Sequence, residues 1–331
     1  MKPGSIISNV VQWNQLGVCE GRYLLPSGIP TEPGERMQRE ADSIPAPPGH
    51  LSASLGTQSS VSSSPAADSA ERSGLVSHAG LLIVNADDWG RDRDTTDRTF
   101  ECFLRGAISS VSAMVFMEDS ERAAAIALGR GIDAGLHLNF TTPFSAPSCP
   151  VQLVQRQREL AAYLRHHRLA MVVFHPGLIR SFEYVMAAQL EEFSRLYGAA
   201  AGRLDGHHHM HLCANVLLGR LLPPGTIVRR NFSFQPGEKS FGNRLYRKAV
   251  DCLLARRHHL ADFFFSLPPL EPSGRLQQIF SLARNSVVEV ETHPLRPEEY
   301  RFLTEGEIFR WAGDCPIAPR YAVRSHGNAS R

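Results

Sequence analysis

Closely spaced cysteine pairs and long hydrophobic runs are both missing from this 331-residue chain. Its six cysteines are scattered without a CxxC pair, at Cys19, Cys102, Cys149, Cys213, Cys252 and Cys315. That spacing argues against a disulfide scaffold and against a thiolate zinc site. No apolar stretch approaches the roughly 18 residues of a membrane-spanning helix, and polar residues interrupt the N-terminal IISNVVQW stretch too often for a signal-peptide core. We therefore expect a cytoplasmic protein without a membrane span.

A strong excess of either charge is also missing, since 35 Lys and Arg residues face 33 Asp and Glu residues, for a formal net charge of +2. The basic residues are nearly all arginine, and they form no long basic run. Nucleic acid is therefore not a predicted partner. The hydrophobic content of 43% is sufficient for a large folded core.

Two regions of different composition follow one another along the chain. Residues 1–79 are rich in Pro, Ser, Gly and Ala, most densely from Pro26 onward, and such a segment buries too little apolar surface to offset the entropy of ordering it. We expect this low-complexity extension to be largely disordered. From residue 80 to about residue 325, short apolar strands alternate with helical segments, which predicts an α/β fold with a largely parallel sheet or a barrel.

The first apolar strand, Leu81–Val84, is followed by two adjacent acids, Asp87 and Asp88. In α/β folds the carboxyl ends of strands are where functional side chains gather. Two neighbouring carboxylates resist joint ionisation, and a bound cation would relieve their repulsion. The alternative is a solvated Asp-Asp turn.

A histidine-rich segment places polar residues at every second position, at Asp205, His207, His209 and His211. On an extended segment all four would lie on one face, whereas a helix would pair His207 with His211. The HExxH zinc-protease pattern does not apply, because no glutamate follows the first histidine. Imidazoles beside a carboxylate favour a divalent-metal site, and a run of exposed histidines is the alternative.

Two further histidines accompany predicted strands. His137 lies within the third strand, GLHLNF, and His293 follows the late strand VVEVET, with Glu289 and Glu291 at the same parity. Taken alone, the first is typical of a core histidine and the second of a surface or capping one. Together with the Asp pair and the histidine run, three strand ends would deliver one carboxylate and two imidazoles. Such a set leaves coordination positions open, as in catalytic rather than structural sites.

In this order, the motifs NADDWG, GLHLNF, LDGHHHMH and EVETHP resemble those of the YdjC-like, or ChbG-type, carbohydrate deacetylases. The resemblance covers about Leu81 to Tyr321. It departs from the family pattern at Trp89, where Phe is usual, and at Leu295, where Gly is frequent. The resemblance implies a distorted α/β barrel, a divalent metal, magnesium first, and removal of acetyl groups from N-acetylated sugars such as chitin-derived disaccharides. A homodimer would also be in keeping with the family.

The resemblance also implies roles for individual residues. Asp88, His137 and His207 would hold the metal, Asp87 would act as the general base, and His293 is the histidine of the late motif. From its ordinary chemistry, His293 is the hypothetical proton donor to the leaving amine.

Supporting roles rest on weaker signals. Asp205 or His209 would orient a metal ligand, and Glu289 would face the site from the last strand. Arg230 lies beside Arg229 in the IVRRN stretch and could contact an acidic or phosphorylated substrate. The alternative is that at least one of the two arginines pairs with a carboxylate of the site.

Three questions stay open at the level of sequence. Two imidazoles and a carboxylate favour zinc, cobalt or manganese by ligand softness, against the magnesium of the family. The same residues would suit hydrolysis of another bond, such as a phosphoester, although the chain has no glycine-rich phosphate loop. A non-catalytic metal-binding or sugar-binding protein is the third reading, against which the spare carboxylate of the Asp pair argues.

Overall fold

In a computed structural model, the described residues are 80–167, 169–234 and 238–323. The predicted disordered extension, residues 1–79, lies outside them. Within these ranges no helix is both long enough and apolar enough to cross a membrane.

The described residues form one sheet of seven strands, all paired in parallel, in the order β5-β4-β3-β2-β1-β7-β6. The strands are β1 (Leu81–Trp89), β2 (Ser110–Ala113), β3 (Ala134–Leu138), β4 (Arg203–Gly206), β5 (Ile227–Val228), β6 (Phe263–Ser266) and β7 (Val287–Thr292). β1 lies between β2 and β7. The carboxyl ends of parallel strands lie at the same edge of a sheet, so the polar residues that end β1, β3 and β4 are brought together there.

Helices alternate with the strands. They are α1 (Arg93–Leu104), α2 (Ser120–Arg130), α3 (Val151–His166), α4 (Ile179–Tyr197), α5 (Ala214–Leu218), α6 (Phe241–Ala255), α7 (Gly274–Ala283), α8 (Pro297–Thr304) and α9 (Glu307–Ala312). Short 3-10 segments occupy Pro176–Leu178 and His207–Leu212. The predicted alternation of strands and helices is confirmed.

The first strand is longer than its apolar run. β1 continues beyond Val84 to Trp89, so the predicted end at the first polar residue is wrong. Asn85 stays in the ladder because its side chain is satisfied inside the sheet, donating to Ser112 Oγ at 2.7 Å and accepting from Ser110 Oγ at 2.7 Å. A polar side chain with internal partners does not need water, and here it does not end the strand.

The sheet curls, so that its two ends approach one another. Arg229, directly after the edge strand β5, places its guanidinium 2.7 Å from Glu289 of β7. The backbone N–H of Ser233, a few residues further, donates to the Phe264 carbonyl of β6 at 2.8 Å. The predicted distorted barrel is thus confirmed in the form of a curled half-barrel of parallel strands with helices around it.

Candidate metal centre

Three side chains from separate strand ends converge in the interior of the curl. Asp88 comes from the end of β1, His137 from β3, and His207 follows β4 directly. One ligand atom from each lies within 4.8 Å of the other two. Asp88 Oδ1 is 3.4 Å from His137 Nε2 and 2.9 Å from His207 Nδ1. We call Asp88, His137 and His207 the metal trio.

Two atoms of the metal trio are buried without a hydrogen bond from any described residue. They are Asp88 Oδ1 and His137 Nε2; His207 Nδ1 is close to the former but not in hydrogen-bond geometry. An unpaired buried polar atom is costly. One carboxylate and two imidazoles are donors that divalent ions accept, and three ligands leave positions open for water and substrate. These residues therefore fit a divalent ion.

The backbone explains how two adjacent acids come to have different surroundings. Asp88 has a φ of +65°, a left-handed conformation that is strained for a residue with a side chain. The ladder between β1 and β2 also shifts register between Ala86 and Trp89. Asp88 therefore faces the two histidines, with its second oxygen accepting from Arg91 at 2.9 Å. Asp87 instead faces Arg229, which donates to both of its oxygens at 2.7 Å.

His137 is oriented by a buried acid. Its Nδ1 lies 2.7 Å from Asp205 Oδ1, which leaves Nε2 for a metal, as in the carboxylate–histidine–metal arrangements of many enzymes. Burial alone would lower the pKa of His137, but the carboxylates of Asp87 and Asp205 raise it to about 10. The surroundings thus favour positive charge at this imidazole. The orienting role of Asp205 stays a prediction.

A second group of potential ligands also lies within 4.8 Å, namely Asp87, His137 and Asp205. Its atoms are already engaged, because Arg229 donates to both oxygens of Asp87 at 2.7 Å and Asp205 Oδ1 is bound to His137. A metal there would have to displace strong charge-assisted hydrogen bonds. The metal trio is the better site.

The histidine run does not form the extended face that its alternation predicts. His207–Leu212 is a 3-10 turn in which His208 and His209 have positive φ values of 55° and 56°. The turn follows Gly206, where an added Cβ would lie 3.0 Å from His211, so glycine allows this close return of the chain without a shift of His211. The alternation prediction is wrong because β4 ends at Gly206 and the left-handed backbone of His208 and His209 replaces the extended strand.

The turn sends the four histidines in different directions. Only His207 belongs to the metal trio. His208 packs its ring on that of His207, with centroids 4.0 Å apart, and His211 Nε2 is hydrogen-bonded to the carbonyl of Arg229 at 3.0 Å. His209 contacts Phe232 and Phe264 and lies 3.6 Å from Glu291. His209 thus lies beside Glu291. Its predicted orienting role would require a hydrogen bond to a residue of the metal trio, and within the described ranges it makes none.

Arg229 is a buried charged residue of this cluster that the sequence did not distinguish from Arg230. It is 1% exposed and contacts carboxylates from three strands. Its ion-pair distances are 2.7 Å to Asp87, 2.7 Å to Glu289, 3.2 Å to Asp205 and 3.3 Å to Glu291. The prediction that one arginine of the pair would bind a site carboxylate is confirmed at this position. Arg230 instead pairs with Asp251 at 2.8 Å, away from the metal trio.

The positive charge of Arg229 does not stabilise the ionised form of all the neighbouring carboxylates equally. Burial raises the pKa of Asp87, but Arg229 and then His137 together outweigh that effect, so the pKa of Asp87 lies below its usual value. Burial raises the pKa of Glu289 and raises that of Glu291 strongly, the latter also because of the negative charge on Asp87. Tyr321 donates to Glu289 at 2.6 Å. Glu289 is therefore a structural partner of Arg229 within the site.

His293 directly follows β7, the strand next to β1. Its Nδ1 is a buried nitrogen with no hydrogen-bond partner in the described ranges, and no hydrogen bond or ion pair among those residues joins it to Asp87 or the metal trio. Its backbone N–H donates to Glu299 Oε2 at 2.8 Å, and the same oxygen accepts from Thr292 at 2.8 Å. Glu299, which is fully buried in α8, was missed from the sequence because no sequence pattern connects it to the Thr292 hydroxyl and the His293 backbone N–H that donate to it.

The two positions that depart from the family pattern, Trp89 and Leu295, both make contacts within the fold. Trp89 is fully buried in the core. The Leu295 carbonyl accepts from Arg98 of α1 at 3.1 Å, which connects the loop after β7 to the helix that follows the Asp pair.

A family model described as YdjC-like protein matches residues 81–310. Chitooligosaccharide deacetylases of Proteus mirabilis (strain HI4320) and Serratia marcescens are each 31% identical to this chain, over 134 and 137 residues respectively, 40% of this chain in both cases. The matched part spans about half, 51%, of each relative. A solved structure of a candidate cellobiose-phosphate cleavage protein from Enterococcus faecalis V583 has a TM-score of 0.53 at 19% identity, covering 72% of this chain and 96% of the other. That likeness shows the fold.

Proposed function

Since this chain belongs to the YdjC-like protein family, we propose that it is a metal-dependent hydrolase that removes the N-acetyl group from an N-acetylated sugar. The observation that carries the proposal is the buried metal trio with two unpaired ligand atoms, beside a second acid, Asp87. The relatives named chitooligosaccharide deacetylases support the reaction type and make short chitin-derived sugars the first substrates to test.

Asp88, His137 and His207 would hold the ion. When bound, a divalent ion supplies a Lewis acid for the acetyl carbonyl and lowers the pKa of water. Magnesium is implied by the family resemblance, and zinc suits the two imidazoles. In both cases Asp205 fixes the orientation of His137, and Arg91 fixes the second oxygen of Asp88.

Asp87 is the proposed general base. Arg229 binds both of its oxygens, which keeps the carboxylate ionised and in one orientation, at the cost of weaker basicity. Asn85 adds a third hydrogen bond, 2.8 Å from its Nδ2 to Asp87 Oδ1. The side chain is thus held rigidly next to the metal trio, ready to accept the proton that an attacking water loses.

His293 is the proposed proton donor to the leaving amine, with Glu299 as the positioning residue of its backbone. We expect His293→Ala to lower kcat on an acetylated amino sugar by about 10²- to 10⁴-fold, the usual contribution of a general acid. On 4-nitrophenyl acetate, whose phenolate leaves without protonation, the same variant should retain most of the wild-type rate. Equal losses on both substrates would refute the assignment.

Acetate release from N-acetylglucosamine and chitooligosaccharides tests the function directly. We expect release by the full chain, its loss after chelation, and recovery with one divalent ion; separate additions of magnesium and zinc identify which. A phosphatase panel run in parallel tests the alternative bond. Release of phosphate without acetate, or activity that survives complete removal of metal, would overturn the proposal.

Asp205→Asn tests the role of Asp205 in orienting His137. The amide cannot accept from Nδ1 with the strength of the carboxylate, so we expect metal affinity to fall by roughly 10- to 100-fold, as for other such partners of histidine ligands. His207→Ala is the reference for loss of a ligand, and Asp251→Asn, which lies outside the metal trio, is the control. Metal titration measures all three variants. Wild-type affinity in Asp205→Asn would contradict the role.

Location and assembly stay predictions. We propose a cytoplasmic location and, in keeping with the family resemblance, a homodimer. Fractionation of the full chain and its mass in solution measure them.

A further inference from the structure

Helix α6 (Phe241–Ala255) presents its side chains to the protein and to solvent in the reverse of the usual order. A surface helix normally buries an apolar stripe and exposes polar residues. The side chains that α6 buries are mainly polar, and its large exposed side chains are mainly apolar. Its buried residues are Asn243, Arg247, Val250, Asp251 and Leu254. A helix face of this kind indicates a partner outside the described fold.

The buried polar residues of α6 have partners inside the fold. Arg247 Nε donates to Asn243 Oδ1 at 2.9 Å. Asp251 pairs with Arg230 at 2.8 Å and accepts from Asn231 Nδ2 at 3.0 Å. These contacts fix which side of the helix faces inward. The helix therefore cannot rotate to bury its apolar side chains without leaving buried polar atoms unpaired, which is costly.

Three large apolar side chains project from the opposite side of the helix. Phe241, Leu245 and Leu253 are 76%, 57% and 39% exposed. Ala249, which is also exposed, lies midway between the last two. Residues four apart in a helix lie on the same face, so the four side chains form a continuous apolar stripe along α6. We call these four residues the α6 stripe.

The charges that border the α6 stripe are positive. Lys248, three residues after Leu245 and so its neighbour on the helix surface, is exposed. Arg256, which follows the helix directly, is exposed, and Arg244 is half-exposed. The single acid of α6, Asp251, is on the buried face. Within the described ranges no ion pair joins these three cations to an acid. An anionic partner would therefore be complementary to this surface.

We propose that the α6 stripe docks on an anionic lipid surface, with its apolar side chains at the boundary of the acyl chains and its cations at the level of the phosphates. The cytoplasmic leaflet of a membrane offers both components. A second copy of this chain fits less well. In a two-fold pairing the same patch meets itself, so Lys248 and Arg244 would approach like charges with no acid of α6 to compensate them. The inference does not depend on the deacetylase reaction.

Sedimentation of the full chain with lipid vesicles tests the proposal. We expect partitioning into vesicles of phosphatidylcholine and phosphatidylglycerol to be at least about tenfold stronger than into pure phosphatidylcholine, and to weaken as salt is raised. Leu245→Gln keeps helix propensity but removes apolar surface, and it should weaken binding about tenfold, the effect of withdrawing one leucine from an apolar environment. Leu128→Gln is the matched control, because Leu128 of α2 is 59% exposed, and it should change nothing.

The contribution of charge has its own variant. Lys248→Glu should reduce binding to the anionic vesicles about tenfold and leave the weak binding to neutral vesicles unchanged, with circular dichroism to check that each variant is folded. A full chain that does not bind anionic vesicles would overturn the proposal, and a change of mass in solution on Leu245→Gln would then assign the stripe to a second copy. Undiminished binding by Leu245→Gln would equally overturn it, because another part of the chain would be responsible.

Discussion

Arg229→Met is expected to lower the free energy of unfolding by about 3 to 5 kcal/mol, the usual cost of leaving a buried charge without its partner. The guanidinium is 1% exposed and compensates carboxylates of β1, β4 and β7 at 2.7 to 3.3 Å. Methionine fills much of the same volume but carries no charge, so the loss reports electrostatics rather than a cavity. Urea denaturation followed by circular dichroism measures it.

The neighbouring arginine provides the control. Arg230 has a side chain that is 24% exposed and pairs with a single carboxylate, Asp251, so Arg230→Met should cost no more than about 1 kcal/mol, as expected for a partly exposed ion pair. Equal losses for the two variants would show that Arg229 does not neutralise the acidic cluster as its contacts indicate.

Asp87→Asn is expected to reduce kcat for deacetylation by about 10²- to 10⁴-fold while bound metal is retained. Removal of a general base has this magnitude, and asparagine keeps an oxygen for Arg229, so the fold should be preserved. Steady-state kinetics and elemental analysis of the same preparation measure both quantities. The paired result distinguishes a base from a ligand, because loss of Asp88 or His207 should remove the metal as well.

Asp97→Asn, on an acid with a side chain that is 52% exposed, is the matched control and should leave kcat unchanged. Rates of Asp87→Asn within about threefold of wild type would rule out its role as base. Loss of the metal in that variant would instead favour the second ligand group, in which Asp87 joins His137 and Asp205.

The histidine run shows what local pattern can and cannot predict. The residue types predicted a site with imidazole and carboxylate groups at the end of β4, and His207 does lie close to Asp88 and His137. Alternation could not predict the directions of His208 and His209, because their left-handed backbone breaks the strand geometry on which alternation depends. The same reason applies to Asp88, whose positive φ separates it from Asp87.

The arginine pair shows a second limit. Sequence position alone offered no reason to prefer Arg229 over Arg230, since both follow the same short strand, β5. Strand parity sends them to opposite faces of the curl, one toward Asp87 and the other toward Asp251. Which face lies inside depends on how the whole sheet bends. That bend brings together residues far apart in sequence, such as Asp87 and Arg229, which are separated by 142 positions.

By itself the sequence determined the order of strands and helices and the kinds of side chain at each strand end, because both follow from short-range periodicity and from residue chemistry. Only the tertiary structure decided which of those side chains share one buried cluster and which arginine neutralises it. The physical reason is the curl of the parallel sheet, which brings the ends of distant strands within hydrogen-bond distance and excludes the water that would otherwise satisfy them.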